Sequence, residues 1–203
     1  ELYPGKVDVA DIFAYPTIAR LAGFIETGEK AAAIVLEELV FPEEYFGASE
    51  TDADLVFKFQ ISGARLAGIK SIAGRLEIEL SDLLLATYLY LLAEISEQQT
   101  VVVQKILTDK DLALPIKIDF AAVTDFSSLF RAVQQKCAAI STAAAYDIQS
   151  LNKTRIAKSG RGIIPFFASG YELTRKTLAH YDLLFNIKAI TGAEVQFTCS
   201  YNQ

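Results

Sequence analysis

His180 is the single histidine of the chain. Imidazole changes charge near neutral pH, so His180 is the first residue to consider for proton transfer. That role requires a partner within hydrogen-bond reach. No nucleophile or metal-like spacing stands beside it, so a structural or surface role is expected. Asp182 reads as a strand-end cap or as an ion-pair partner of Arg175 or Lys176. Cys137 and Cys199 lie far apart without metal-ligand spacing, and free thiols are expected, with Cys137 as a small buried apolar residue. Lys153, Arg155, Lys158 and Arg161 form a basic, irregular stretch suited to an anion, and its default reading is a solvated loop. Gly160-Arg161-Gly162 is too short for a phosphate-cradling loop. Glu43, Glu44, Asp52 and Asp54 read as solvated acids. No metal site and no catalytic constellation follow from these residues.

The elements that would position them come from composition and periodicity. The 203 residues are 52% hydrophobic and 22% charged, which describes a folded chain rather than a disordered one. A net charge of -6 argues against a broad surface for nucleic acid or anionic lipid. No apolar run reaches the ~18–20 residues needed to cross a bilayer. The chain has no methionine, which fits a piece of a longer polypeptide. A reducing, cytoplasmic setting is expected from its cysteines.

The alternation of Leu55, Phe57 and Phe59 with Val56, Lys58 and Gln60 predicts a strand. Gly63 to Leu76 carries Leu66, Ile69, Ile72 and Leu76 at helical spacing. Ser81 reads as the cap of a helix reaching Ile95, apolar on most sides and therefore buried. Thr100 to Leu107 and Leu112 to Phe120 are β-rich. Pro115 cannot donate to a ladder, so it belongs at a strand end, an edge or a bulge. A helix from Phe126 to about Ala144 is capped by Asp125 or Ser127. Ile163 to Tyr171, Asp182 to Ile190 and Ala193 to Tyr201 read as strands, with a tight turn at Thr191-Gly192. Near the N-terminus, Ala31 to Leu39 reads as a short helix ended by Pro42, and Glu26 to Lys30 as a polar break. The element series predicts an α+β two-layer sandwich.

Ahead of that break, Pro16 ends a short helical turn containing Ile12 and Phe13. Thr17 then starts a helix with Ile18, Leu21, Ala22 and Ile25 on one face, stopped at Gly28. This stretch, Val7-x-Val9-x-Asp11-Ile12-Phe13-x-x-Pro16-Thr17-Ile18-x-x-Leu21-Ala22-x-Phe24-Ile25, resembles the last third of a carrier domain of a nonribosomal peptide synthetase or hybrid polyketide assembly line. The resemblance implies that residues 1–29 are the C-terminal remnant of a peptidyl or acyl carrier. It also implies that the serine bearing phosphopantetheine lies upstream of Glu1. No cofactor is then expected on this chain, and phosphopantetheine is expected only on the missing part of the carrier or on partner carriers.

Residues 30–203 resemble the C-terminal lobe of a condensation domain, a chloramphenicol acetyltransferase-like fold. Ser81-Asp82-Leu83-Leu84-Leu85-Ala86-Thr87-Tyr88 is similar to its buried helix. Leu114-Pro115-Ile116-Lys117-Ile118-Asp119 is similar to a strand, and His180-Tyr181-Asp182-Leu183-Leu184-Phe185 to a recurring strand start. Val195 to Asn202 is similar to a hairpin strand ending in Tyr-Asn. The family's His-His-x-x-x-Asp-Gly motif, which handles the proton of the attacking amine, is absent. The resemblance therefore implies a partial condensation domain in antibiotic-type secondary metabolism, serving as a non-catalytic docking or structural module. Its implied partners are carriers or other assembly-line domains, met through Ile12, Phe13, Lys153, Arg155 and Arg161. The alternative it leaves open is half of an active condensation domain, forming amides between carrier-bound substrates with an N-terminal half in trans. A third reading is a stable piece of a larger synthetase with no separate role. Self-association is expected through strands around Ile163 to Phe167 and the loops beside Leu112 to Pro115.

Incubation with a phosphopantetheinyl transferase and coenzyme A is expected to leave the mass of the chain unchanged. Intact-protein mass spectrometry checks this, and a mass gain equal to one phosphopantetheine arm contradicts it.

Overall fold

Helix and strand alternate where the apolar residues switch from a spacing of three and four to a spacing of two. The computed structural model describes residues 38–43, 55–107, 112–138, 146–147, 162–172 and 182–201. The elements are β1 (Leu39–Val40), β2 (Leu55–Ser62), α1 (Gly63–Leu76), α2 (Leu80–Ser96), β3 (Thr100–Leu107), β4 (Leu112–Asp119), α3 (Phe126–Ala138), β5 (Tyr146–Asp147), β6 (Gly162–Ile163), β7 (Pro165–Ser169), β8 (Leu183–Ile190) and β9 (Glu194–Tyr201). Seven strands form one sheet in the order β2-β9-β8-β7-β3-β4-β5, and β1 pairs with β6 in a separate two-stranded sheet. The neighbours β3, β7 and β8 run parallel, while every other pair in the large sheet is antiparallel.

Register decides which side chains meet the helices. Lys105 pairs with Phe167 across β3 and β7, and Phe167 pairs with Phe185 across β7 and β8. Phe185 faces Cys199, and Phe59 faces Phe197. With the period of two, this places Val101, Val103, Ile116, Phe167, Ile187 and Phe197 on one face, in one cluster with Leu85, Leu89 and Leu92 of α2, Leu66 of α1 and Leu129 and Val133 of α3. All three helices therefore cover the same face, which is the expected α+β two-layer arrangement.

α2 is the central helix of that layer. Leu85 and Leu89 are fully buried. The Tyr88 ring stacks on Phe185 with centroids 5.0 Å apart. Phe59 stacks on Phe197 at 4.7 Å, extending the aromatic row to the sheet edge. The helix is not buried all round, since Leu91 is 50% exposed. Its N-cap is Glu79, without a side-chain cap bond, rather than Ser81. Both α1 and α2 stop on a glutamate, Glu77 and Glu97, each at φ 55° in the left-handed region usually taken by glycine.

Other expectations are sharpened or corrected. Asp125 caps α3, since its carboxylate accepts the Ser128 N–H at 2.7 Å. Pro115 sits opposite Gln104, beyond Leu112 and Ala113 that pair with β5, so no described strand pairs with its other side. A position paired on one side is where a strand tolerates proline. The Thr191-Gly192 turn closes the β8–β9 hairpin, with the Thr191 N–H donating to the Glu194 carbonyl at 2.9 Å. The helix expected to reach Leu39 does not, because Leu39 and Val40 extend to pair with Ile163 and Gly162. The strand expected from Ile163 to Tyr171 is divided at Ile164 between β6 and β7. The expected boundary near residue 29 lies outside the described residues.

The second face of the sheet is also buried at its centre, by Ile106, Ala113, Ile164, Phe166, Ala168 and Leu184. Ile163, Ile164, Phe166 and Phe167 are thus interior, which corrects their expected role in self-association. A strand flanked on both sides by parallel neighbours reads as a continuous apolar run for this reason.

Leu85→Ala is expected to cost about 2–5 kcal/mol by leaving a cavity under α2. Tyr88→Phe is expected to be neutral or stabilising, because the buried Tyr88 hydroxyl has no hydrogen-bond partner. Urea melts of both variants check the pair. A loss below about 1 kcal/mol for the first, or above that for the second, contradicts this packing.

Candidate functional site

The sequence gives β3 an apolar inward row, Val101, Val103 and Leu107, interrupted by Lys105. An inward lysine needs a partner. Asp82, in the first turn of α2, supplies it at 2.8 Å from Lys105 Nζ to Oδ1. The same Nζ donates to Cys137 Sγ, in the last turn of α3, at 3.3 Å. One ammonium therefore ties β3 to two helices. Burial works to lower the Lys105 pKa, but its hydrogen bond to Asp82 and its interactions with Cys137 and the Asp82 charge outweigh that, so it stands above the ordinary lysine value. Burial pushes the Cys137 thiol up, against the pull of Lys105. At neutral pH this is a protonated ammonium beside a neutral thiol, which is neither a base nor a nucleophile. The arrangement is a clamp.

A cavity of about 710 Å³ opens among the three helices. Its walls are apolar, with Ile61, Ile69, Leu83, Phe126 and Phe130, and Arg75 stands at its edge. The Thr87 hydroxyl within it donates to the Leu83 carbonyl at 2.9 Å and is thereby occupied. Among the described residues no acid–base pair lines the cavity, and what they offer is shape and apolar surface.

The second face of the sheet carries polar side chains where an apolar row would be simpler. Asn186 pairs in register with Thr198, and Leu184 with Ser200. All three polar residues are buried. Asn186 Nδ2 donates to the Tyr171 carbonyl at 2.9 Å. Asn186 Oδ1, Thr198 Oγ1 and Ser200 Oγ have no hydrogen-bond partner among the described residues. Buried polar atoms are normally satisfied, so this cluster carries a stability cost.

Of the site residues expected from sequence, Asp182 alone is described. Its carboxylate accepts the Ile164 N–H at 3.0 Å, joining the starts of β7 and β8. That is the geometry of a strand-end cap. Ile12, Phe13, Lys153, Arg155, Arg161 and His180 lie outside the described residues. The Lys105 clamp and the Asn186 cluster were not anticipated. The break in the apolar row of β3 signalled the first, and the alternation of Thr198 and Ser200 with Val195 and Phe197 signalled the second.

No family model matches the sequence, and no curated protein matches it. Solved structures do. The condensation-domain structure from the enacyloxin polyketide synthase superposes with a TM-score of 0.58 at 17% identity, over 83% of this chain and 40% of that chain. The first condensation domain of the CDA synthetase gives 0.59 at 12% identity, over 94% of this chain and 48% of that one. A chain from the complex of the X-domain and OxyB of teicoplanin biosynthesis gives 0.60 at 11%, over 84% and 45%. The fold is that of one half of a condensation domain of the peptide-synthetase and polyketide-synthase kind. The chain spans no more than about half the length of these neighbours. No helix among the described residues is long and apolar enough to cross a membrane.

Stability is expected to be level through neutral pH and to decline above about pH 8.5, where unfolded thiols begin to ionise. Cys137, Cys199, Tyr88 and Lys105 all have folded pKa values raised above their unfolded ones. Their stabilisation is complete below the unfolded values and is lost as pH rises through the folded ones. Asp82→Asn is expected to cost about 1–3 kcal/mol at neutral pH and to remove the Lys105 share of the alkaline decline. Denaturant melts between pH 6 and 11 check both, and stability that rises with pH contradicts the assignment.

Proposed function

We propose that this chain is a non-catalytic docking or structural module of a nonribosomal peptide or hybrid peptide–polyketide assembly line. The observation that carries the proposal is a lobe with its own layered core, in the fold of half a condensation domain, on a chain with a single histidine. Amide formation needs a group to manage the proton of the attacking amine. The sequence has no His-His-x-x-x-Asp-Gly motif, and the internal Lys105 and Cys137 are locked in their protonated forms. What such a lobe offers is surface. The resemblance of residues 1–29 to a carrier supports a position next to one, and the proposed place of phosphopantetheine is on carriers rather than on this chain. Lys153, Arg155 and Arg161 are the proposed contacts for a carrier's acidic face, and Ile12 and Phe13 the apolar ones. A neighbour drawn from an X-domain–OxyB complex supports a docking role for this fold. The setting proposed is cytoplasmic.

Two substrate-loaded carriers incubated with the full chain are expected to give no amide product, while a carrier binds the chain measurably. Charge reversal at Lys153, Arg155 and Arg161 is expected to weaken that binding at least several-fold at low salt. Product formation by the chain alone overturns the proposal. Product that appears only when a His-His-x-x-x-Asp-Gly-bearing half is added establishes the alternative of a split enzyme.

A further inference from the structure

β2 is the edge strand of the seven-stranded sheet. It pairs with β9 on one side, and no described strand pairs with its other side. Such an edge presents a row of free N–H and C=O groups, and folded proteins usually shorten it, cover it or charge it. This one is eight residues long. From Val56 to Ser62 none of its residues is buried, and Phe57 is 67% exposed. Lys58 is its one charged residue.

The sequence of the strand is close to its own mirror about Phe59. Reading outward, Lys58 faces Gln60, Phe57 faces Ile61, and Val56 faces Ser62. We propose that β2 pairs antiparallel with β2 of a second copy of this chain, across a two-fold axis at Phe59, joining the two sheets into one. Antiparallel pairing in this register sets Phe57 opposite the second copy's Ile61 and Phe59 opposite its own counterpart, an apolar row on the helix side. On the other side it sets Lys58 opposite Gln60. No like charges meet. A parallel, in-register pair would instead set Lys58 against Lys58, which cross-strand electrostatics disfavours. A two-fold contact of this kind closes on itself and leaves no free outer β2 edge. A seam between single strands buries less than the roughly 1,600 Å² of a standard interface. Association is therefore weak and grows with protein concentration.

Lys58→Cys and Gln60→Cys are both at exposed positions. Each variant, and an equal mixture of the two, is oxidised gently at high protein concentration, and disulfides are located by peptide mapping. The expected result is a 58–60 intermolecular disulfide in the mixture, with neither variant cross-linking efficiently to itself through its new cysteine. Light scattering of the unmodified chain is expected to show a mass rising from 22.2 kDa towards twice that value with concentration, and Phe57→Asp to shift this rise to several-fold higher concentration. A chain that stays monomeric throughout, or Lys58→Cys alone cross-linking as well as the mixture, overturns the proposal. So does a rise in mass unaffected by Phe57→Asp, which assigns self-association to another surface.

Discussion

The structure depends on the burial of one helix against one face of one sheet. α2 places Leu85, Tyr88, Leu89 and Leu92 on the row that includes Val103, Phe167 and Phe185, and α1 and α3 flank it. Fully burying a side chain of this size gives about 1.5–3 kcal/mol relative to leaving it exposed, which makes each such position a large share of the ~5–15 kcal/mol net stability of a domain. One face of the sheet is covered by α1, α2 and α3 of this same chain.

The polar residues inside that frame have a structural logic. Lys105 interrupts an apolar row, and its charge is tolerable only because Asp82 reaches it from α2 and the Cys137 thiol from α3. The clamp fixes the two helices to the strand, with the Lys105 ammonium and the Cys137 thiol both protonated at neutral pH. Asp182 plays a similar part with a backbone partner, holding the start of β7 beside β8. Asn186, Thr198 and Ser200 differ, because three of their polar atoms are left without partners on the buried second face. That face, and not the helix-covered one, is the less settled side of the lobe.

Much of this was legible in the sequence, for identifiable reasons. The helix from Gly63 to Leu76 and the strand from Thr100 to Leu107 follow directly from their apolar spacing, and both have the bounds read from it. The buried character of α2 follows from its unbroken leucines. Helix ends were harder. A glutamate in the left-handed region at Glu77 or Glu97 carries no local signature, and Glu79 caps α2 through its backbone alone. The break at Ile164 was hidden because an apolar run such as Ile163 to Phe167 has no period to read. The apolar run ending at Leu39 has a helical pattern, but a strand of two residues is set by its partner, here Gly162 and Ile163, rather than by its own pattern. The clamp was missed because pairing Asp82 with Lys105 requires knowing the register of a helix over a sheet.

The central claim is that this lobe closes its own core. The most direct measurement is equilibrium urea unfolding of the chain alone, followed in parallel by far-UV circular dichroism and by the near-UV signal of its nine tyrosines, since it has no tryptophan. The account predicts coincident, sigmoidal transitions with a flat native baseline, the signature of cooperative packing. A broad loss of far-UV signal with no near-UV transition would mean a collapsed chain without fixed side-chain packing, and would contradict it.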